Sequence, residues 1–214
     1  YLLTRQYDLD YRNYITDITG SITKPIKPST NELRDAYGSL ETYKSVSDAI
    51  IFNSVNYRPL FGSKAEEELQ ATFKIVKNKN TLVSDNEVKA RVVEEINNYF
   101  ALANWDFGDT FYFSELSAYL HNALTPDVLS VIVVPKSNTS GFGSLYQITS
   151  SRDEIFISAA TVNDIEVIDV ITAAQLQASG AVINSTSDIN TVESVSTGSS
   201  STVEETTTNI SIDA

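Results

Sequence analysis

The chain has no cysteine and no methionine, and only one histidine and one tryptophan. Without cysteine there is no disulfide framework and no thiolate zinc site, and nothing marks the redox compartment. Basic residues are scarce: 15 Lys and Arg stand against 28 Asp and Glu, a net charge of -13 with a pI near 4.4. Phosphate contacts need clustered Lys and Arg, so this balance argues against nucleic acid and against anionic membrane surfaces as partners. No apolar run approaches the roughly 18 residues a membrane-spanning helix requires. There is no signal-peptide pattern and no initiator Met, so the expectation is the ordered or processed part of a longer polypeptide, its C-terminal end.

What is present suits a globular protein. A chain of 214 residues that is 42% hydrophobic and 10% aromatic can bury one core with extensions, or two small ones. The best-patterned block runs from Ser84 to Pro135. Ser84-Asp85-Asn86-Glu87 reads as a capping box, in which the Ser hydroxyl takes the N–H three residues on and Glu87 reaches back. Val88, Val92, Ile96, Tyr99 and Phe100 then recur on one helical face. An aromatic loop follows, and Ser114 restarts a helix whose Leu116, Tyr119, Leu120, Ala123 and Leu124 face inward. Thr125-Pro126-Asp127 breaks that helix before the strand-like run Val128 to Val134.

Upstream, Leu69, Ala71, Phe73 and Ile75 alternate with polar residues, which predicts a half-buried strand, and Asn78-Lys79-Asn80 predicts a turn. The local order is therefore strand, helix, short strand, helix, strand. The expected fold is α+β: a small mixed sheet with two helices on one face, followed by short strands and an extended tail. Those later strands are expected near Leu145–Thr149, Glu154–Ser158 and Ile165–Val170, with one or two helical turns over Ile171 to Ala178.

The first 62 residues read less clearly. Tyr7, Tyr11, Tyr14 and Ile18 fall on one helical face, with a β-rich arm as the alternative. Lys24-Pro25-Ile26-Lys27-Pro28 reads as an extended connector, and Ser29 to Glu32 as a helix start before Leu33, Tyr37 and Leu40. Ala49 to Phe52 with Val55 reads as a buried strand, closed by a turn at Arg58-Pro59-Leu60-Phe61-Gly62. From Ala181 onward Ser and Thr dominate and aromatics vanish, so the segment is expected to need a partner to become ordered. The organisation expected is an interaction arm over 1–62, a core over 63–135, a β-rich extension over 136–178 and a tail over 179–214.

Candidate chemistry is thin. Asp106-Phe107-Gly108 matches a kinase metal-binding triplet, but the Gly-rich loop, strand lysine and His-Arg-Asp loop are missing, so a turn with an aromatic plug is favoured. His121 lies mid-helix with no nucleophile elbow, which favours a packing or surface role over catalysis. Asp8 and Asp10 have calcium-like spacing without the closing residues. Paired carboxylates for glycoside hydrolysis could be drawn from Asp106, Asp109 and Glu115, but the sequence offers no substrate-stacking aromatic groove beyond Trp105. The expectation is no catalytic, cofactor-binding or metal-binding residue and no cofactor. The residues singled out are instead packing or interface aromatics: Trp105, Phe107, Phe111, Tyr112, Phe113 and Tyr119. Core closure between the helices is the main role expected of this loop, with protein–protein anchoring as the functional one, because Trp and Tyr lead hot-spot statistics.

These residues also carry a resemblance. Val88 to Val134, with Asn104-Trp105-Asp106-Phe107-Gly108-Asp109, Phe111-Tyr112-Phe113-Ser114-Glu115-Leu116 and Leu129 to Pro135, resembles the C-terminal region of the baseplate J-like family, as in the wedge subunit of T-even type contractile phages. Gly143 to Ile148 and Glu154 to Ser158 resemble its continuation, so the likeness covers about Tyr57–Val170. It implies a non-enzymatic virion protein of the baseplate inner ring, assembled in the host cytoplasm. Its partners would be a second copy, other wedge subunits, the sheath initiator and the central hub, with rearrangement on tail contraction. A tail-fibre or adhesin-type receptor-binding module is the alternative, and a carboxylate-dependent glycosidase a third.

Overall fold

Three helices begin where a hydroxyl side chain stands ready to accept an orphan N–H. Thr4 Oγ1 accepts from Tyr7 N at the start of α1 (Arg5–Thr16), Ser29 closes a full capping box at α2 (Thr30–Tyr37), and Ser84 Oγ accepts from Glu87 N at α3 (Asp85–Tyr99). At α3 only half of the expected box forms, since Glu87 does not reach back to Ser84. The fourth helix, α4 (Phe113–Leu124), has no side-chain cap; its first N–H donates to the Tyr146 carbonyl at 3.0 Å. The structure, a computed structural model, describes residues 1–43, 51–168 and 182–183. The helical turns expected over 171–178 and nearly all of the tail lie outside them.

The fold is α+β, as the alternation of patterns predicts. Eight strands are described: β1 (Asn56–Leu60), β2 (Ala71–Lys77), β3 (Thr110–Tyr112), β4 (Val128–Pro135), β5 (Gln147–Thr149), β6 (Glu154–Ser158), β7 (Ile165–Ile168) and β8 (Val182–Ile183). A four-stranded mixed sheet has the order β7-β2-β4-β8, with β2 antiparallel to β4 and parallel to β7. Its register pairs Phe73 with Val133 and Ile75 with Val131, so the apolar alternation of both strands falls on one face. There Val88, Val92 and Ile96 of α3 and Leu116, Leu120 and Leu124 of α4 close the main core. On the opposite face Val76 and Ile132 form a small apolar cluster, and Lys74 pairs with Glu166 across β2 and β7.

A second layer lies beside this core. The parallel ribbon β1/β6 carries α1 on one side, where Tyr7, Tyr11 and Ile15 pack on Val55, Tyr57, Ile155 and Ile157. Phe156 and Leu60 point the other way into the main core. Both faces of the ribbon are thus covered, which is why Ile155-Phe156-Ile157 is apolar without alternation.

Five details differ from the sequence reading. The first strand described is Asn56–Leu60; of the strand expected upstream, Ala49 and Ile50 lie outside the described residues, Ile51 is 74% exposed, and Phe52 and Val55 are buried but outside any extended ladder. The predicted turn moves to residues 61–65, closed by Ala65 N donating to the Gly62 carbonyl; Pro59 is tolerated within β1, where its missing N–H costs no ladder bond on the side away from β6. Helix α1 stops at Thr16, where Asp17 caps it, so Ile18 lies beyond the helix and is exposed. Ala123 faces solvent rather than the core. The expected segments are also interleaved: β1 of the arm pairs with β6, β7 of the extension joins the sheet of the core, and Val182–Ile183, expected to be part of a tail ordered by a partner, pair with β4 of the same chain as β8.

Candidate functional site: the aromatic junction

The aromatic loop is split by its own geometry. In β3, Phe111 pairs with Ile148 and alternation turns Phe111 and Phe113 inward while Tyr112 turns outward. Phe111 and Phe113 are fully buried, Tyr112 is 38% exposed, and Phe107 at 40% is a surface ring rather than the expected plug. Gly108 supplies the turn with φ of 84°, a region open to glycine at little cost. Asp109 Oδ2 accepts from Asp106 N at 2.7 Å, so this carboxylate pins the loop.

The inward rings converge on Phe61. Its ring centroid lies 5.0 Å from Phe73, 5.7 Å from Phe111, 5.8 Å from Phe100 and 6.1 Å from Phe113, all edge to face. Phe142 closes the set at 4.3 Å from Phe113. Edge-to-face pairs add roughly 0.5–1.5 kcal/mol each beyond area burial. That gain offsets the backbone of Phe61, held at φ of 80°, a strained value for a bulky residue. The neighbouring Gly62 is required by close packing: a Cβ there would fall 1.8 Å from the Ala159 carbonyl oxygen. Neither Phe61 nor Phe142 is marked by periodicity; only the large aromatic side chain flanked by turn residues hints at either.

Trp105 and Tyr119 complete the junction at its edges. Trp105 stacks on Phe100 at 5.3 Å, meets Phe156 edge-on at 5.2 Å, and donates its indole N–H to the Tyr99 carbonyl at 2.9 Å. It touches both clusters and so joins the ribbon to the main core. Tyr119 lies against Tyr99 and donates its hydroxyl to Glu95 at 2.9 Å. Burial, with the Glu115 charge adding to it, pushes the Tyr99 hydroxyl up to about 12.

A polar network absent from the sequence reading sits between α1 and β1. Asp8 accepts the Tyr57 hydroxyl and pairs with Arg12 at 2.8 Å, and burial raises the Tyr57 pKa ahead of the Asp8 contact. The i,i+4 spacing of Asp8 and Arg12 is the only local hint of it. Asp10 instead accepts from Gln6, so the two aspartates do not share a site. A second pair joins the half-exposed Lys136 to the buried Asp164 at 2.6 Å, with Thr161 donating twice to the same carboxylate.

The other sequence candidates do not converge. Asp106 is exposed in the loop, Glu115 is exposed on α4, and His121 lies at the far end of that helix. Among the described residues no three His, Asp or Glu gather closely enough to hold a metal ion, and no helix is long and apolar enough to cross a membrane. The arrangement is suited to packing and to presenting two aromatic rings, Phe107 and Tyr112, at the surface. Comparison with protein-family models, with curated proteins and with solved structures gives no match to this chain.

Proposed function

We propose that this chain is a non-enzymatic structural subunit of a contractile phage-tail baseplate wedge. In this reading it belongs to the inner ring around the hub, meets a second copy, holds the sheath-initiating wedge proteins and rearranges when the tail contracts. The observation that carries the reading is the block from Ser84 to Pro135, whose residues bear the resemblance and which folds as α3, aromatic loop, β3, α4 and β4 about one phenylalanine core. A module that leaves Phe107 and Tyr112 at its surface suits an assembly unit, since aromatic residues are enriched at protein–protein interfaces.

The test is sedimentation velocity of the chain alone and mixed with baseplate wedge proteins. Co-sedimentation is expected, and the variant Phe107→Ser/Tyr112→Ser is expected to keep its fold while losing assembly. A chain that stays strictly monomeric and binds none of these proteins would sink the proposal.

A further inference from the structure

The outer edge of β1 is only partly paired. Asn56 N donates to the Asp153 carbonyl and Ala159 N to the Leu60 carbonyl, so the main-chain groups of Asn56, Arg58 and Leu60 point at β6. Those of Val55, Tyr57 and Pro59 therefore point the other way. That outer edge is closed at both ends. Leu2 N donates to the Asn53 carbonyl and Val55 N to the Leu2 carbonyl, while Phe61 N donates to the Leu69 carbonyl and Ala71 N to the Phe61 carbonyl. Between these ends the Tyr57 N–H, the Tyr57 carbonyl and the Pro59 carbonyl have no hydrogen-bond partner among the described residues. Tyr57 is only 6% exposed, and buried main-chain groups are almost always paired, so the gap calls for an occupant.

The gap lies along a cleft of about 490 Å³, lined by Tyr57 and Pro59 together with Tyr11, Lys24, Lys64 and Glu66. That volume is within the range of ligand-binding pockets. Most of its charges are answered. Arg58 Nη1 in the wall is 3.3 Å from Glu154 Oε2, and Lys64 is faced by Asp17 and by the Tyr14 ring, 4.4 Å from its ammonium. Lys24 and Glu66 remain, and neither forms an ion pair among the described residues. The cleft is thus balanced in charge, with one uncommitted group of each sign. The buried Tyr11 hydroxyl is a further polar group there without a partner among the described residues.

These groups set the chemistry of the ligand. Two carbonyls ask for amide donors and one N–H asks for a carbonyl acceptor, which is what the main chain of an extended peptide offers to a strand edge. The closed ends limit such a peptide to a few residues. A balanced cleft with a free cation and a free anion suits a ligand that is neutral overall and carries one charge of each sign. A sugar has no charged ends, and a single amino acid has no internal amide. We propose that this cleft binds a short peptide with free ends: its main chain completes the β1 edge at Tyr57 and Pro59, its carboxylate meets Lys24 and its ammonium meets Glu66. This inference is independent of the baseplate reading, and its assay contains no wedge protein.

The test is a nitrogen–proton correlation NMR titration of the full chain with trialanine, compared with N-acetyl-trialanine amide and with free alanine. Saturable binding of trialanine is expected with a Kd below about 1 mM, and the Tyr57 amide proton is expected to move downfield as it gains an acceptor. The capped peptide is expected to bind at least about five-fold more weakly, and Lys24→Ala and Glu66→Gln each to weaken trialanine about two- to five-fold, the scale of exposed ion pairs. Both side chains are exposed and outside the core, so these variants keep the fold. Free alanine, with both charges but no internal amide, is expected to leave Tyr57 unmoved. The proposal is overturned if trialanine shows no saturable binding, if the Tyr57 amide stays put when it binds, or if free alanine shifts that amide as far. It is equally overturned if the capped peptide binds as tightly, or if both variants bind like the parent.

Discussion

The two apolar clusters of this protein are built from different aromatic residues. The main core gathers Phe61, Phe73, Phe100, Phe111, Phe113, Phe142 and Phe156, none of which carries a group that must be hydrogen-bonded. The cluster under α1 gathers Tyr7, Tyr11 and Tyr57, each bringing a hydroxyl into a buried setting. Phenylalanine contributes area and ring geometry alone, so those seven rings bring no titrating group into the first cluster, and its tyrosines, Tyr99 among them, lie at its edge. Each buried tyrosine needs a partner for its hydroxyl or leaves a polar group unsatisfied. Tyr57 finds Asp8, which Arg12 holds in turn, while Tyr11 finds none among the described residues. The α1 layer is thus the part of the fold whose buried aromatic packing depends on polar partners.

The contrast can be broken most sharply in the main core. Phe111→Ala is expected to cost about 3–5 kcal/mol in chemical denaturation, through lost area and the cavity left among rigid rings. A loss of under roughly 1 kcal/mol would show that the phenylalanine hub is not what holds the module. In the α1 layer, Asp8→Ala strips the Tyr57 hydroxyl of its acceptor and leaves Arg12 unpaired, at a cost of about 1–3 kcal/mol. Hydrogen exchange should place that loss in α1 and β1 while α3 and α4 stay protected.

Titration reaches both regions from both ends of the pH scale. The tyrosines at 11 and 57 have folded-state pKa values raised, first by burial, and Tyr99 is pushed up to about 12. A raised value means stability is complete below the unfolded value near 10 and is lost as pH climbs from there towards the folded values. Alkaline unfolding followed by tyrosinate absorbance is expected to begin in that window, and Tyr57→Phe to move it upward. On the acid side, hydrogen bonds from Thr19 and Ile22 hold Asp17 at about 2, and the Thr81 hydroxyl, ahead of Arg91, holds Asp127 down. These depressed values support the fold above the ordinary carboxylate range, and that support is lost as pH falls through it towards about 2. Asp127→Asn should flatten the acid limb measured by circular dichroism.

The smallest effect expected is also the most specific. Tyr11→Phe removes a buried hydroxyl without a partner, so thermal unfolding should shift by less than about 0.5 kcal/mol or towards greater stability. A clear loss of stability would mean that the hydroxyl is satisfied after all and that the tyrosine layer is better paired than its geometry indicates.

The parts legible beforehand were those written in short-range pattern. Ser84 as a cap, the Val88, Val92 and Ile96 stripe and the alternation of Ala71, Phe73 and Ile75 each rest on neighbours within four residues. Of the six aromatic candidates, the alternation about Tyr112 was also readable, and it decides that Phe111 and Phe113 are core while Tyr112 is surface. Phe107 was not readable, because a loop has no period and Gly108 turns its neighbour outward. Asp8 with Tyr57, and Lys136 with Asp164, join positions 49 and 28 residues apart. No local rule reaches that far.

The sequence by itself determined the class of fold, the capped helices, the strands β2, β4 and β7 of the central sheet and an acidic, cysteine-free composition, because periodicity and capping act within a turn or a pleat. Only the tertiary structure decided that Asn56 to Leu60 pairs with Glu154 to Ser158, that Phe61 takes a strained backbone to become the hub, and that Gly62 must be glycine. It also decided that Lys24 and Lys64 share a cleft with three tyrosines. Those outcomes depend on which distant surfaces bury one another, and burial is a property of the assembled chain rather than of any window within it.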